Sequence, residues 1–61
     1  MKRAKFEIFA GEMPYRYYWR LVAPNGEIIA QSEGYSSKQA ARKGIASVKR
    51  NAWIARVIES D

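Results

Sequence analysis

The sequence predicts an α+β fold in which an antiparallel sheet carries one helix, in the order β-β-β-α-β. Three observations lead there. Residues 15–23, Tyr-Arg-Tyr-Tyr-Trp-Arg-Leu-Val-Ala, are dense in aromatic and β-branched residues at period two, the pattern of a half-buried strand. Pro24-Asn25-Gly26 follows at once and is turn chemistry. Beyond Ser36 the apolar period changes: Ala41, Gly44, Ile45, Val48 and Ala52 fall in one arc about 100° wide, the core stripe of a helix.

Residues 4–10 alternate as a first strand, with Phe6 and Ile8 on one face and Lys5, Glu7 and Phe9 on the other. Gly11-Glu12-Met13-Pro14 ends it, since Pro14 has no N–H to give a ladder. In the second strand Tyr15, Tyr17, Trp19 and Leu21 point to the core, and Arg16, Tyr18, Arg20 and Val22 point away. Asn-Gly alone suits a two-residue hairpin. Pro24 favours a three-residue loop instead, with Pro24 and Asn25 central in a type I turn and Gly26 left-handed. Strand three covers residues 27–33, with Ile28, Ala30 and Ser32 opposite Glu27, Ile29, Gln31 and Glu33.

Gly34-Tyr35 leads to the helix, where Ser36 is the expected N-cap and Gln39 completes a capping box. Ala41 and Gly44 are small enough for the helix to lie close to the sheet. Arg50 sits near the expected helix end, where a cation is favoured, and Asn51 is the expected stop. Residues 53–58, Trp-Ile-Ala-Arg-Val-Ile, read as a last strand, apolar on both faces apart from Arg56.

With 61 residues the chain is expected to form one domain, residues 1–61 with a core of about 4–58. A domain this small buries only about 60% of the surface its unfolded chain exposes, so it needs reinforcement. There is no Cys or His, which removes disulfides and the usual zinc ligands and leaves oligomerisation. A strand apolar on both sides wants cover on both sides, and the link from the helix is too short for an easy crossover. Exchange of this strand with a second copy satisfies both conditions.

The residues also resemble a known family. Trp19-Arg20-Leu21, Asn25-Gly26-Glu27-Ile28-Ile29-Ala30, Ser32-Glu33-Gly34-Tyr35-Ser36-Ser37-Lys38, Gly44-Ile45, Ser47-Val48-Lys49 and Asn51-Ala52 are similar to the YegP-like family of small, mostly bacterial proteins. The match runs from about Lys5 to Val57. The resemblance implies β-β-β-α-β units that pair, as tandem repeats or as two subunits, share one sheet and exchange C-terminal strands. This chain holds one unit, so an intertwined homodimer is implied. The Gly11–Pro14 turn and Pro24 depart from the family pattern. The resemblance brings no catalytic residue.

Catalysis finds little support. Without His or Cys, triads and thiolate nucleophiles are absent. Glu27 and Glu33, six apart on one strand, would stand roughly 20 Å from each other, too far to act on one bond. The six carboxyl groups show no metal-ligand spacing. The chain is therefore expected to be no enzyme, with no cofactor, no metal and no small-molecule substrate. Lys2, Arg3 and Lys5 are basic but no apolar segment follows them, so neither a signal peptide nor a membrane span is expected and a cytoplasmic location is the default.

Charge gives the sharpest functional lead. The net charge is +5, and residues 36–52 carry Lys38, Arg42, Lys43, Lys49 and Arg50 with no acid, while bases and acids cancel elsewhere. These five are the first candidates for binding an anion or nucleic acid. Arg16, Tyr18 and Arg20 are the second, because rings between guanidinium groups can stack bases and hold phosphates. The competing class is a structural or protein-interaction module, with Phe9, Tyr18 and Ile29 on an open sheet face as a partner surface.

Overall fold

The computed structural model describes residues 2–12 and 14–61. Three strands, β1 (Lys5–Ala10), β2 (Tyr17–Val22) and β3 (Ile28–Gln31), precede one helix, α1 (Lys38–Ile54). The sheet is antiparallel in the order β1-β2-β3, so the most aromatic segment lies in the middle. Met13, part of the expected first turn, lies outside the described residues. The turn is closed from Gly11, whose N–H donates to the Arg16 carbonyl.

Cross-strand pairing sorts the side chains. Phe6 stands opposite Leu21 and Ile8 opposite Trp19, while Glu7 faces Arg20 and Phe9 faces Tyr18. The first set forms the inner face. Trp19 is buried, with the Phe6 ring edge-on to it at 5.4 Å and 79°, a favoured aromatic geometry. Tyr15 does not join this core. It precedes β2 and is 57% exposed, because regular pairing begins only at Tyr17 opposite Ala10.

The β2–β3 connection is the expected three-residue loop. Gly26 N–H donates to the Ala23 carbonyl at 2.9 Å, Ala23 N–H donates to the Glu27 carbonyl at 2.7 Å, and Gly26 has φ 93°. That dihedral suits glycine and strains other residues. Strict alternation fails just beyond. Leu21 pairs with Ala30 but Val22 pairs with Ile28, so Ile29 is an extra residue. Ile28 and Ala30, expected on one face, therefore pair with adjacent β2 residues that point to opposite faces.

β3 ends two residues earlier than expected, at Gln31. Ser32 takes over the ladder: its N–H donates to the Trp19 carbonyl, and its hydroxyl accepts from Trp19 N–H at 2.9 Å. After a gap the edge resumes at Tyr35, which exchanges backbone hydrogen bonds with Tyr17 at 2.7 and 3.2 Å. Tyr35 is thus more than a link. Its backbone extends the sheet and its ring supports the helix.

The N-cap is Ser37, one residue later than expected. Its hydroxyl accepts from Ala40 N–H at 3.0 Å, a bond that satisfies one of the free donors of the first turn. Ser36 precedes the cap, so Gln39 does not stand in the capping-box position. α1 packs on β2 and β1. Ala41 is fully buried, and Gly44 lies against Tyr35 and Trp19: a Cβ there would stand 2.7 Å from Tyr35 Cζ and 3.2 Å from Trp19 Nε1. The Trp19 indole N–H, beneath this close approach, has no acceptor among the described residues.

The expected stop at Asn51 and the expected start of the last strand at Trp53 are both corrected. The Asn51 side chain donates to the Ser47 carbonyl at 2.8 Å, a bond made along the helix, and α1 runs on through Trp53 and Ile54. Arg50 therefore sits inside the helix, and the last turn carries no base. Residues 55–61 have no regular structure. A strand must pair its backbone donors and acceptors, and within one chain residues 55–58 reach no edge. Ala52, at the far end of the expected core stripe, is likewise exposed.

Candidate functional site

Three surface features carry chemistry. The first is the outer sheet face. Phe9 and Tyr18 stack at 5.7 Å and 21°, and Arg20 lies over the Phe9 ring at 4.7 Å, within cation–π range. Arg20 Nε also donates to Glu7 at 2.8 Å, and Lys5 Nζ reaches the other Glu7 oxygen at 3.1 Å. The Arg20 guanidinium and then the Lys5 ammonium hold the Glu7 carboxyl below its ordinary value of 4.5. Arg16 turns its guanidinium to the Pro14 carbonyl at 2.9 Å. Gly11 and Gly34 border the Tyr18 ring on its two sides. This cluster is already engaged with itself, with one Tyr18 face taken by Phe9 and Arg20 by Glu7.

The second feature is the helix. Lys38, Arg42, Lys43, Lys49 and Arg50 are all exposed and form no ion pair among the described residues. Tyr18 and Arg20 do not join them. α1 covers the Trp19 face of β2, and neighbours of Trp19 along a strand point to the opposite face. The two candidate sets named from the sequence therefore lie on separate surfaces, on opposite layers of the fold.

The third feature lies at the chain ends. Trp53 is 88% exposed, Ile54 73%, Val57 92% and Ile58 76%. Four large apolar side chains within six residues, all in water, exceed the scattered exposure that soluble surfaces normally show. At the Val22 end of the sheet, a cleft of about 270 Å³ is bounded by Lys2, Arg3, Lys5, Val22 and the Pro24–Gly26 turn. The three bases were not singled out from sequence as a site. Their spacing was visible, but Val22 as an apolar floor opposite Lys5 emerges only from strand register. No group of three metal-ligating side chains comes together among the described residues, and no described helix is long and apolar enough to cross a membrane.

The profile of the family described as "Domain of unknown function (DUF1508)" matches residues 16–59. The chain belongs to the DUF1508 family. A UPF0339 protein of Methanosarcina acetivorans is 51% identical over 55 residues, covering 90% of this chain and 93% of that one. Another, from Treponema denticola, is 46% identical with the same coverage. UPF0339 protein YegP of Yersinia pestis is 56% identical over 36 residues, which are 59% of this chain and 32% of that protein. The YegP-like resemblance read from the central motifs is thus confirmed. The NMR solution structure of a protein from Haloferax volcanii matches with a TM-score of 0.81 at 54% identity, over 98% of this chain and 100% of that one. The three-stranded antiparallel sheet with one helix is therefore matched by a solved structure. DUF1508 membership names no activity, so residue roles must rest on the geometry above.

Proposed function

We propose that this chain is a non-enzymatic structural or protein-interaction module that works as a homodimer, each copy lending its C-terminal segment to the other. The observation that carries this reading is the exposure of Trp53, Ile54, Val57 and Ile58 in the single chain. Their apolar surface favours burial by roughly 25 cal/mol per Å², and no part of the same chain covers it. β1 and β3 both offer unpaired edges, and an open edge is a template for a strand from another chain. Residues 55–58, outside the helix and unpaired in the single chain, supply such a strand. A small core gains from the exchange the reinforcement that Cys and His cannot give it. Sedimentation velocity at micromolar concentration is expected to give twice the chain mass. A stable, compact monomer would overturn the reading.

A second reading, binding of RNA or single-stranded DNA, is supported by five exposed cations on an element without acids. Phosphate contact of this kind is sequence-independent and releases counterions. Affinity for a mixed nucleic-acid pool is then expected to fall at least about tenfold between 50 and 200 mM salt. No retention even at the lower salt removes this reading and leaves the interaction module.

A further inference from the structure

We infer that the cleft bounded by Lys2, Arg3 and Lys5 receives the acidic end, Glu59 to Asp61, of a second copy of this chain; the inference rests on the dimer reading and gives the exchanged segment a direction and an address.

Two unpaired charge clusters set up the match. Glu7 is shared between Arg20 and Lys5, so Lys2 and Arg3 have no ion-pair partner among the described residues. Glu59 and Asp61, immediately beyond Val57 and Ile58, are exposed and also make no ion pair there. The cleft combines those cations with an apolar floor, Val22, and a turn wall. The tail combines apolar residues with acids in consecutive positions. Floor and cations thus correspond to the two halves of the tail. Opposite charges brought together over a partly dry floor attract more strongly than in open water, and such complementarity fixes register.

Topology places the ends accordingly. β1 and β3 run the same way, both antiparallel to β2. α1 starts beside the Tyr17–Tyr35 bridge, at the Ala10 end of the sheet, and returns across β2 and β1. Its 17 residues extend about 25 Å, longer than the roughly 20 Å of a six-residue strand. The helix therefore delivers the tail at the Lys5 end of its own sheet. Under a twofold axis normal to one continuous sheet, that point faces the Ala10 end of the partner's β1. A tail running antiparallel along the partner's β1 then finishes at the partner's cleft. A tail that folded back parallel to its own β1 would carry Glu59 and Asp61 to the Ala10 end, away from Lys2 and Arg3. Charge thus selects exchange with antiparallel pairing over closure within one chain.

A charge-swap experiment tests this. K2E/R3E reverses the cleft and leaves the Lys5–Glu7 ion pair intact; E59K/D61K reverses the tail. All four positions are exposed, so the monomer fold tolerates both variants. In sedimentation velocity at low salt, each variant alone is expected to dissociate about tenfold more readily than the wild type. Mixed one to one, the variants restore opposite charge at both ends of the dimer, and a heterodimer of near wild-type affinity is expected. The difference should shrink in about 0.5 M salt. If the wild type is a dimer but both variants dimerise equally well, or the mixture shows no preference for the heterodimer, the tail does not occupy the cleft and the dimer reading still stands. If the wild type is a monomer, the dimer reading fails and takes this inference with it. Shifts of the Val22–Gly26 amide signals on adding inorganic phosphate, with dimerisation of both variants unchanged, would mark the cleft as a small-anion site and overturn the assignment.

Discussion

Replacing Val57 and Ile58 together by Asp is expected to convert the proposed dimer to a monomer at micromolar concentration while the sheet and helix stay folded. Both side chains are almost fully in water in the single chain, at 92% and 76% exposure, so the monomer's own core loses nothing when they change. Substitutions at such positions usually alter folding stability by no more than about 0.5 kcal/mol. Buried on a partner, the same side chains contribute about 1.5–3 kcal/mol each, and twofold symmetry applies every change twice. A carboxylate forced into that interface adds a desolvation penalty. A loss of only about 4 kcal/mol already raises a dissociation constant roughly a thousandfold. Sedimentation velocity and far-UV circular dichroism on one sample check both halves of the prediction: half the mass, with retained secondary structure. Persistence of the dimer would show that the tail is not its adhesive.

What the sequence revealed and what it hid divide along physical lines. The β2 strand, the Gly26 turn and the Ala41–Gly44 contact were legible because each depends on local chemistry: ring-rich alternation, a left-handed dihedral, absent side-chain volume. The N-cap was misplaced by one residue because Ser36 and Ser37 are chemically equivalent there, and only the direction of entry from the Tyr35 bridge makes Ser37 the acceptor for Ala40 N–H. The β3 bulge at Ile29 left no signal, since Ile28-Ile29-Ala30 suits either register. At the other end, Trp53 and Ile54 have strand-like composition, yet continued helix pairs their backbone when no sheet edge is within reach. The candidate site was legible as composition only. The sequence shows five helix cations and an Arg/Tyr strand; the alternation that puts Trp19 inside necessarily sends Tyr18 and Arg20 to the face opposite the helix. The basic cleft required the pairing of Lys5 with Val22, a contact between distant parts of the chain.

Gly44→Ala is expected to destabilise the protein by about 1–3 kcal/mol, although the same change in an exposed helix stabilises by about 1 kcal/mol. The added Cβ would lie 2.7 Å from Tyr35 Cζ and 3.2 Å from Trp19 Nε1, well inside the roughly 3.5–4.0 Å at which heavy atoms attract. Trp19 is held on the central strand by Phe6 and is only 6% exposed, and the Tyr35 backbone is tied to Tyr17 in both directions, so relief would need the Tyr35 ring to leave its place under the helix. Otherwise the helix must lift, loosening Ala41, the one completely buried residue among those described. Overpacking of this kind typically costs 1–3 kcal/mol, and a domain this small has only about 3–9 kcal/mol in total. Urea unfolding at fixed protein concentration measures the loss without confusing it with mass action on the proposed dimer. The Tyr35→Ala background separates the two opposing effects. With the ring gone, most of the clash disappears and helix propensity remains, so Gly44→Ala should become neutral or stabilising there, a coupling that only residues in contact produce. If Gly44→Ala stabilises the otherwise unaltered protein, then the helix is free to rise from the sheet, and the absence of a side chain at position 44 does not set their separation.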